Sequence, residues 1–283
     1  MQLLRLGEPG QERPAVRADD GTVHDLRPIS AEIDGAFLAD GGIARARVGL
    51  DAGRLPQLDP TGLRIGAPVA RPGKVICIGL NYRDHAAETG AKIPDEPIIF
   101  FKGTDTVIGP NDNVLIPRGS SKTDWEVELA VVIGARTRYL DSPADSRAMI
   151  AGYAVSNDVS ERAFQLERGG QWVKGKSCET FNPLGPWLVP ADEVPDPQSL
   201  GLRLSVNGQQ RQNSTTGNMI FAVDHIIWYV SQFMVLEPGD VVNTGTPHGV
   251  AMGLDDKPYL RAGDVVELEI DGLGRQRQEL VQA

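Results

Sequence analysis

Several features that would place this chain in a familiar class are scarce in its sequence. It has only two cysteines, Cys77 and Cys178, and four histidines in 283 residues, too few for a disulfide framework or a zinc site built from Cys and His. Basic residues are also few, since 28 Lys and Arg face 38 Asp and Glu for a net charge of −10. Nucleic-acid binding needs a basic surface, so we expect no nucleic-acid partner. The cysteine usage favours a reducing compartment, and we predict a cytoplasmic protein.

Long hydrophobic runs and nucleotide or hydrolase motifs are missing as well. The longest apolar run, 219–236, is interrupted by Asp224, His225, Ser231 and Gln232. A membrane helix needs about 20 apolar residues, so this run predicts a buried helix and no membrane association. The first residues break into Gly-Glu-Pro-Gly and lack the apolar stretch of a signal peptide. There is no GxGxxG after a strand, no P-loop and no GxSxG, which argues against nucleotide binding and serine-hydrolase chemistry.

The residues that are present predict a strand-rich protein of the α+β class. Hydrophobic residues make up 41% of the chain, and 32 glycines and 20 prolines indicate many turns. A proline-rich linker over 53–73 suggests a small N-terminal α/β domain at residues 1–70 and a main domain at 71–283. Patterning predicts strands at 3–6, 15–17, 22–26, 75–80, 98–101, 125–133, 151–157, 202–206, 241–243 and 265–270, and helices at 29–40, 82–89, 144–149 and 223–236.

Three carboxylates could form a metal site. Side chains alternate along a strand, so Glu126 and Glu128 should share one face. They could lie on a solvent-facing edge, but the apolar residues that follow predict burial, and buried paired carboxylates favour Mg²⁺, Mn²⁺ or Ca²⁺. Asp158 follows an apolar strand and could be a third ligand, or it could cap a helix over 159–166.

A second group of candidates could move protons or bind an anion. On a helix, His85 and Glu88 lie one turn apart, and a carboxylate beside an imidazole makes a general base, although such a pair is also common on helix surfaces. Lys102 and Lys176 could meet a substrate carboxylate or an oxyanion, or be ordinary surface lysines. The loop at 243–250 could offer backbone N–H groups and the Thr246 hydroxyl to an anion.

In combination and order, these motifs resemble the fumarylacetoacetate hydrolase superfamily. They are GLNYRDHAAE at 79–88, FFK at 100–102, DWEVEL at 124–129, NDVS at 157–160, FNPLGP at 181–186 and TGTP at 244–247. Lys176 lies shortly before the FNPLGP motif. The resemblance implies a mixed β-roll catalytic domain, usually a homodimer, with one Mg²⁺ or Mn²⁺. It maps the metal ligands onto Glu126, Glu128 and Asp158, the water-activating pair onto His85 and Glu88, the catalytic lysine onto Lys176, and substrate contacts onto Tyr82, Lys102, Arg162, Gln165 and Thr246.

The resemblance also suggests a reaction. The segment ERAFQLERGGQW at 161–172 looks most like bacterial 2,4-diketo-3-deoxy-sugar-acid hydrolases of rhamnonate and fuconate pathways. We therefore expect a small anionic keto-acid substrate, a 2,4-diketo acid whose C–C bond is hydrolysed to pyruvate and a carboxylic acid. The alternatives are oxaloacetate decarboxylation or keto–enol isomerisation in the same site, or a metal-binding protein without activity.

Overall fold

Strands dominate the computed structural model, which describes residues 1–283. The strands are β1 Gln2–Leu6, β2 Arg13–Arg17, β3 Val23–Asp25, β4 Ile65–Gly66, β5 Val75–Gly79, β6 Ile98–Lys102, β7 Val107–Ile108, β8 Val114–Ile116, β9 Thr123–Asp124, β10 Val127–Ile133, β11 Ile150–Asn157, β12 Ser160–Glu161, β13 Asn182–Pro190, β14 Gly201–Val206, β15 Gln209–Thr215, β16 Val241–Asn243, β17 Val265–Ile270 and β18 Gly274–Gln282. The α-helices are α1 Gly35–Ala39, α2 Gly42–Asp51, α3 Arg83–Thr89, α4 Arg162–Leu166, α5 Val173–Lys176 and α6 Val223–Ser231. Short 3-10 helices cover Thr104–Thr106, Pro143–Met149, Ala191–Glu193, Thr216–Asn218 and Ala251–Gly253.

Two large sheets carry the fold. The first has the strand order β3-β2-β1-β13-β11-β10-β16-β5-β6, with β4 beside β1 and β7 beside β13. The second has the order β15-β14-β17-β18-β8. Their apolar faces meet in one core cluster of 34 buried residues, which includes Leu129 of β10, Val155 of β11, Leu204 of β14 and Leu268 of β17. The strand-rich α+β class and the mixed β-roll are thereby confirmed.

Strand β10 is buried along its whole length and has two distinct faces. Val127, Leu129, Val131 and Ile133 point into the core between the two sheets. The alternating residues Glu128, Ala130 and Val132 point the other way. A strand covered on both faces can therefore place a carboxylate in the interior, as the sequence predicted for Glu128.

The N-terminal segment joins the main sheet directly. Strand β1 pairs antiparallel with β13 at Leu3 and Leu188, and Met1 and Leu3 share a core cluster with Val132 and Leu188. The boundary at residue 70 between two domains stays a prediction, and the sheet runs through both parts without interruption.

Two helix predictions need correction. The N-terminal helix does not start at residue 29, because Asp34 caps α1 by accepting the N–H of Phe37 at 3.0 Å. A second helix, α2, follows Gly41, which turns the chain in a left-handed conformation with φ 71°. The predicted helix over 223–236 ends at Ser231, and Leu236 instead donates its N–H to the Thr137 carbonyl at 2.8 Å.

Other local predictions are confirmed. Helix α3 covers 83–89 with Tyr82 as its N-cap residue. Strands β14 and β15 form the predicted hairpin, with Asn207 and Gly208 both at positive φ as a two-residue turn requires. None of the helices has the length and hydropathy needed to span a bilayer.

Candidate active site

Four chain segments meet at one edge of the first sheet. Strands β5 and β16 are parallel, and β10 runs antiparallel to β16, so the ends of β5 and β16 lie beside the start of β10. Strand β11 pairs antiparallel with β10, which adds its end to the same edge. Helix α3, the loop after β16, Glu126 at the start of β10 and Asp158 after β11 are therefore neighbours.

At this edge, three carboxylates form a buried cluster. One oxygen each from Glu126, Glu128 and Asp158 lies within 4.8 Å of the others, and the three residues are 5%, 2% and 0% exposed. The backbone N–H of Asp158 donates to the Glu126 carbonyl at 3.0 Å, which ties the two segments together. The helix-cap interpretation of Asp158 is wrong, because α4 starts at Arg162 and its cap is Glu161.

The predicted strand over 125–133 begins later than expected. Regular pairing between β10 and β11 stops at Val127 and Asn157. The N–H of Glu126 donates instead to the side-chain oxygen of Asn157 at 3.1 Å. Glu126 therefore precedes the strand, yet the alternation toward Glu128 is kept and both reach the cluster.

Two of the carboxylates are matched by buried cations. Lys176 Nζ donates to Glu126 at 2.8 Å and to Asp158 at 2.9 Å. Arg162 donates to Glu126 at 2.6 Å, and Lys102 donates to Asp158. Burial alone would raise the pKa of Glu126, but Lys176 and Arg162 lower it to about 2. Burial would lower the pKa of Lys176, but Asp158 and Glu126 raise it, so the ammonium stays charged.

Glu128 has no cationic partner. It accepts only the backbone N–H of Gly245, at 2.7 Å. Burial, with the neighbouring charges of Asp158 and Glu126, raises the pKa of Glu128 well above its usual range. A buried carboxylate without a counter-charge, beside two others, is a donor set that fits a hard divalent cation, which prefers oxygen ligands. The residues present thus fit Mg²⁺ or Mn²⁺.

His85 and Glu88 form a hydrogen-bonded pair on α3. His85 Nδ1 lies 3.1 Å from Glu88 Oε2, and the other carboxylate oxygen of Glu88 accepts the N–H of Gly249 at 2.8 Å. With Glu88 ionised, Nδ1 carries the proton that it donates, which leaves Nε2 free to accept one. The loop after β16 therefore fixes the carboxylate, and the carboxylate orients the imidazole.

Asp84 anchors α3 to the second sheet. Its Oδ2 accepts from the Ser214 hydroxyl at 2.6 Å and from Asn218 at 3.1 Å. His248 Nδ1 lies 3.2 Å from the same oxygen, which places His248 next to the helix and outside the cavity lining. The helix that carries His85 is thus held in its first turn through Asp84 and in its last turn through Glu88.

The pair and the cluster both contribute residues to the lining of one cavity of about 220 Å³. His85, Glu126, Glu128 and Lys176 all line it. Of the residues that the resemblance maps to substrate contacts, the cavity lining includes Arg162, Gln165 and Thr246. The sequence predictions for the carboxylates, the pair and Lys176 thus fall in one place, and their roles stay predictions.

Tyr82 and Lys102 do not line this cavity. Tyr82 is fully buried, and its hydroxyl has no hydrogen-bond partner. Lys102 lies behind Asp158, where it donates to that carboxylate and to the Val159 carbonyl at 3.0 Å. Lys102 therefore supports Asp158 from outside the cavity, whereas Tyr82 packs in the hydrophobic core.

The sequence reasoning missed several supporting residues. Asp124 accepts from Arg162 at 2.9 Å and from the N–H of Ala251 at 2.7 Å. It therefore holds both the Arg162 guanidinium and the 3-10 helix Ala251–Gly253. Gln212 donates to Thr246 at 2.9 Å from the second sheet. Asp124 is the first residue of the DWEVEL motif and could have been found there, but Gln212 lies in a polar hairpin strand with no local signal.

Comparison with known proteins identifies relatives along the whole chain. The family model for the C-terminal region of fumarylacetoacetate (FAA) hydrolase matches residues 74–281. A protein of Burkholderia multivorans, provisionally named a hydrolase, is 54% identical over 281 residues, covering 98% of each chain.

Two solved structures share the fold over nearly the full length of both chains. The 2-hydroxyhepta-2,4-diene-1,7-dioate isomerase of Mycobacterium marinum has a TM-score of 0.77 at 30% identity, covering 100% of this chain and 98% of its own. The maleylpyruvate hydrolase of Sphingobium sp. SYK-6, solved with manganese(II) and pyruvate, has a TM-score of 0.82 at 27% identity and full coverage of both chains. The chain belongs to the fumarylacetoacetate hydrolase family.

Proposed function

We propose that this member of the fumarylacetoacetate hydrolase family is a divalent-metal-dependent hydrolase of 2,4-diketo acids. It would cleave the bond between C3 and C4 and release pyruvate and a carboxylic acid. The observation that carries the proposal is that His85, hydrogen-bonded to Glu88, lines the same cavity as Glu126 and Glu128 of the buried carboxylate cluster. A similar hydrolase that was solved with manganese(II) and pyruvate supports the assignment.

The carboxylate cluster would hold the metal ion. Mg²⁺ or Mn²⁺ on Glu126, Glu128 and Asp158 would supply a Lewis acid for the keto and carboxylate oxygens of the substrate. Glu128 is the ligand with most to gain, because burial leaves its charge unmatched. Lys176 is already bound between Glu126 and Asp158 and fixes these two side chains in place.

The His85–Glu88 pair would supply the general base. Glu88 holds Nδ1, and Nε2 takes a proton from a water molecule in the cavity. The resulting hydroxide adds to the C4 carbonyl, and the bond between C3 and C4 then breaks with its electron pair going to C3. The proton on the imidazolium is returned to C3, which becomes the methyl group of pyruvate, and the acyl half keeps the hydroxyl as a carboxylic acid.

Polar groups around the pair would orient the substrate. The raised pKa of Lys176 keeps its ammonium charged beside the cavity, where it can stabilise an oxyanion. Gln165 and Thr246 also line the cavity. Arg162 holds Gln165 by donating to its side-chain oxygen at 3.1 Å, so the amide nitrogen can face a ligand.

A second function is favoured by one comparison. The similar M. marinum protein is an isomerase, and isomerisation or oxaloacetate decarboxylation would use the same carboxylate cluster without an attacking water. The resemblance of segment 161–172 to diketo-sugar-acid hydrolases predicts a hydroxylated substrate tail, but the apolar side chains on one side of the cavity argue against it.

Product analysis distinguishes these reactions. The protein, loaded with Mg²⁺, is incubated with acetylpyruvate, oxaloacetate and a 2,4-diketo-3-deoxy-sugar acid, and products are followed by ¹³C NMR. We expect pyruvate and acetate in equal amounts from acetylpyruvate. Carbon dioxide from oxaloacetate alone would indicate decarboxylation, an isomer without cleavage would indicate isomerisation, and no change in any substrate would indicate a protein without activity.

A further inference from the structure

We propose that the cavity accepts a substrate whose acyl tail is aliphatic or aromatic and carries neither a second carboxylate nor a string of hydroxyls. This inference rests on the proposed hydrolysis of 2,4-diketo acids and assigns the chemical class of their variable end. The polar groups of the cavity surround the reacting atoms, and the wall beyond them is apolar.

An aromatic pair forms the centre of this wall. Phe100 and Trp172 contact each other edge to face, with ring centroids 5.4 Å apart and an interplanar angle of 68°. Phe100 also lies under Lys176, whose Nζ is 5.0 Å from the ring centroid. The aromatic pair therefore lies directly next to the charged cluster.

Aliphatic side chains extend the wall toward the cavity mouth. Ile98 lies two residues from Phe100 on β6 and so shares its face, and Leu166 lines the cavity at the end of α4 with 46% of its surface exposed. Gly79 makes room for the indole, because a Cβ at this position would lie 2.6 Å from the Trp172 ring. An exposed leucine that lines the same cavity as an edge-to-face aromatic pair is suited to cover an apolar group.

The cations of the cavity are already bound to acidic side chains. Arg162 is held by Asp124 and Glu126, and Lys176 by Glu126 and Asp158. No other lysine or arginine lines the cavity. A second substrate carboxylate would be removed from water without a counter-charge, which is costly.

The neutral polar groups near the wall offer a hydroxylated tail few partners, chiefly the Gln165 amide nitrogen. The Thr89 hydroxyl donates to the His85 carbonyl at 3.0 Å, and the side-chain oxygen of Gln165 accepts from Arg162. A polyhydroxylated tail would lose its hydrogen bonds to water against Trp172 and Phe100. An apolar tail loses nothing there and gains burial.

A matched pair of substrates tests the inference. 4-Methylpentanoylpyruvate ends in an isopropyl group, and succinylpyruvate has a carboxylate of similar shape at the same place. With the metal-loaded enzyme, we expect the isopropyl compound to have a kcat/KM higher by about 100-fold, the scale on which pockets discriminate such groups. A 2,4-diketo-3-deoxy-sugar acid should be as poor as succinylpyruvate.

A charge introduced at the mouth should change this preference. Leu166→Arg offers a partner to a tail carboxylate, so kcat/KM should rise for succinylpyruvate and fall for the isopropyl compound. Phe101→Arg is the control, since Phe101 is 40% exposed on the opposite face of β6 and does not line the cavity. Hydrolysis of acetylpyruvate by Phe101→Arg should match that of the wild type, which would show that a new surface arginine alone does not change turnover.

Each outcome separates the tail from the reaction. Equal or better hydrolysis of succinylpyruvate or the sugar acid by the wild type would overturn the apolar tail while leaving C–C hydrolysis intact. If no acylpyruvate released pyruvate, the proposed function would fail. Binding of the same two compounds to the metal-loaded protein, measured by calorimetry, would then test the apolar wall independently of the reaction. We expect the isopropyl compound to bind more tightly, and equal or reversed affinities would contradict the apolar wall.

Discussion

At the scale of single residues, charge is unevenly distributed within the carboxylate cluster. Glu126 and Asp158 are paired with lysines and an arginine, whereas Glu128 has one backbone N–H. Buried carboxylates without a counter-charge destabilise a fold. The cluster therefore destabilises the metal-free protein, and a bound cation would remove this destabilisation.

Glu128→Gln should separate these two effects. The metal-free variant is expected to unfold at the same or a higher temperature than the wild type, because the substitution removes a charge that burial disfavours. Mn²⁺ should raise the unfolding temperature of the wild type and leave that of the variant unchanged. Calorimetry with and without Mn²⁺ measures both, and Glu279→Gln, an exposed site on β18, is the control. Normal stabilisation of Glu128→Gln by Mn²⁺ would show that the ion binds elsewhere.

His85→Ala tests the general base. Acetylpyruvate hydrolysis should fall by about 10²- to 10⁴-fold, the usual contribution of a positioned base, while Mn²⁺ affinity stays unchanged. His24→Ala is a matched control, since His24 lies in the N-terminal hairpin and contacts Thr22 and the Leu55 carbonyl. Undiminished hydrolysis in His85→Ala would remove the pair from the mechanism, and His248 would be tested next.

Residue types at short spacing could be predicted, and long-range partners could not. The alternation of Glu126 and Glu128 and the helical spacing of His85 and Glu88 follow from local geometry. The Gly249 N–H on Glu88 comes from a loop, and the Gln212 amide on Thr246 from a strand, both far away in sequence. No sequence pattern around Gly249 or Gln212 predicts which residue each of them contacts.

At the scale of elements, the loop after β16 determines where Glu88 points. Gly249 has φ +97°, and a Cβ there would lie 2.0 Å from the Arg211 carbonyl oxygen. Only glycine combines this backbone conformation with such a close approach to another strand. The N–H that holds Glu88 thus depends on one glycine.

Gly249→Ala should weaken both stability and activity. The unfolding free energy is expected to fall by more than that of Gly263→Ala, a control with φ +92° and no atom within 4 Å of the added Cβ. The control should lose only the backbone term, about 1–2 kcal/mol. Denaturant titration gives the two free energies, and acetylpyruvate turnover should fall in Gly249→Ala only. Equal losses in both variants would mean that the contact with Arg211 is unimportant.

Strong periodic patterns predicted elements well, and caps decided their ends. The 75–80 and 202–206 strands and the α3 helix lie where alternation and spacing placed them. Helix α2 was missed because its sequence, GIARARVGLD, has no clear apolar face and two glycines. Helix α1 starts after Asp34 because this residue caps it. Several other polar residues in 29–40 could also have served as the cap, so the sequence did not determine the start.

At the scale of the whole molecule, we propose a homodimer on the basis of the family resemblance. Tyr139 and Phe233 are 68% and 63% exposed, and the Tyr139 N–H donates to the Ser231 carbonyl, two residues from Phe233. Neighbouring exposed aromatic residues are typical of association surfaces. Light scattering should give twice the chain mass of 30.5 kDa, and Phe233→Lys should reduce it. A wild-type mass of 30.5 kDa would contradict the dimer.

The most direct test of the account is a manganese titration in which binding and activity are measured in the same samples. Metal-stripped protein is reloaded with increasing Mn²⁺, bound ion is counted by electron paramagnetic resonance, and pyruvate release from acetylpyruvate is measured at each point. We expect no pyruvate without metal and a linear rise in activity that saturates at one ion per chain. Full activity in the metal-free protein, or activity that does not follow bound Mn²⁺, would contradict a metal-dependent site built on Glu126, Glu128 and Asp158.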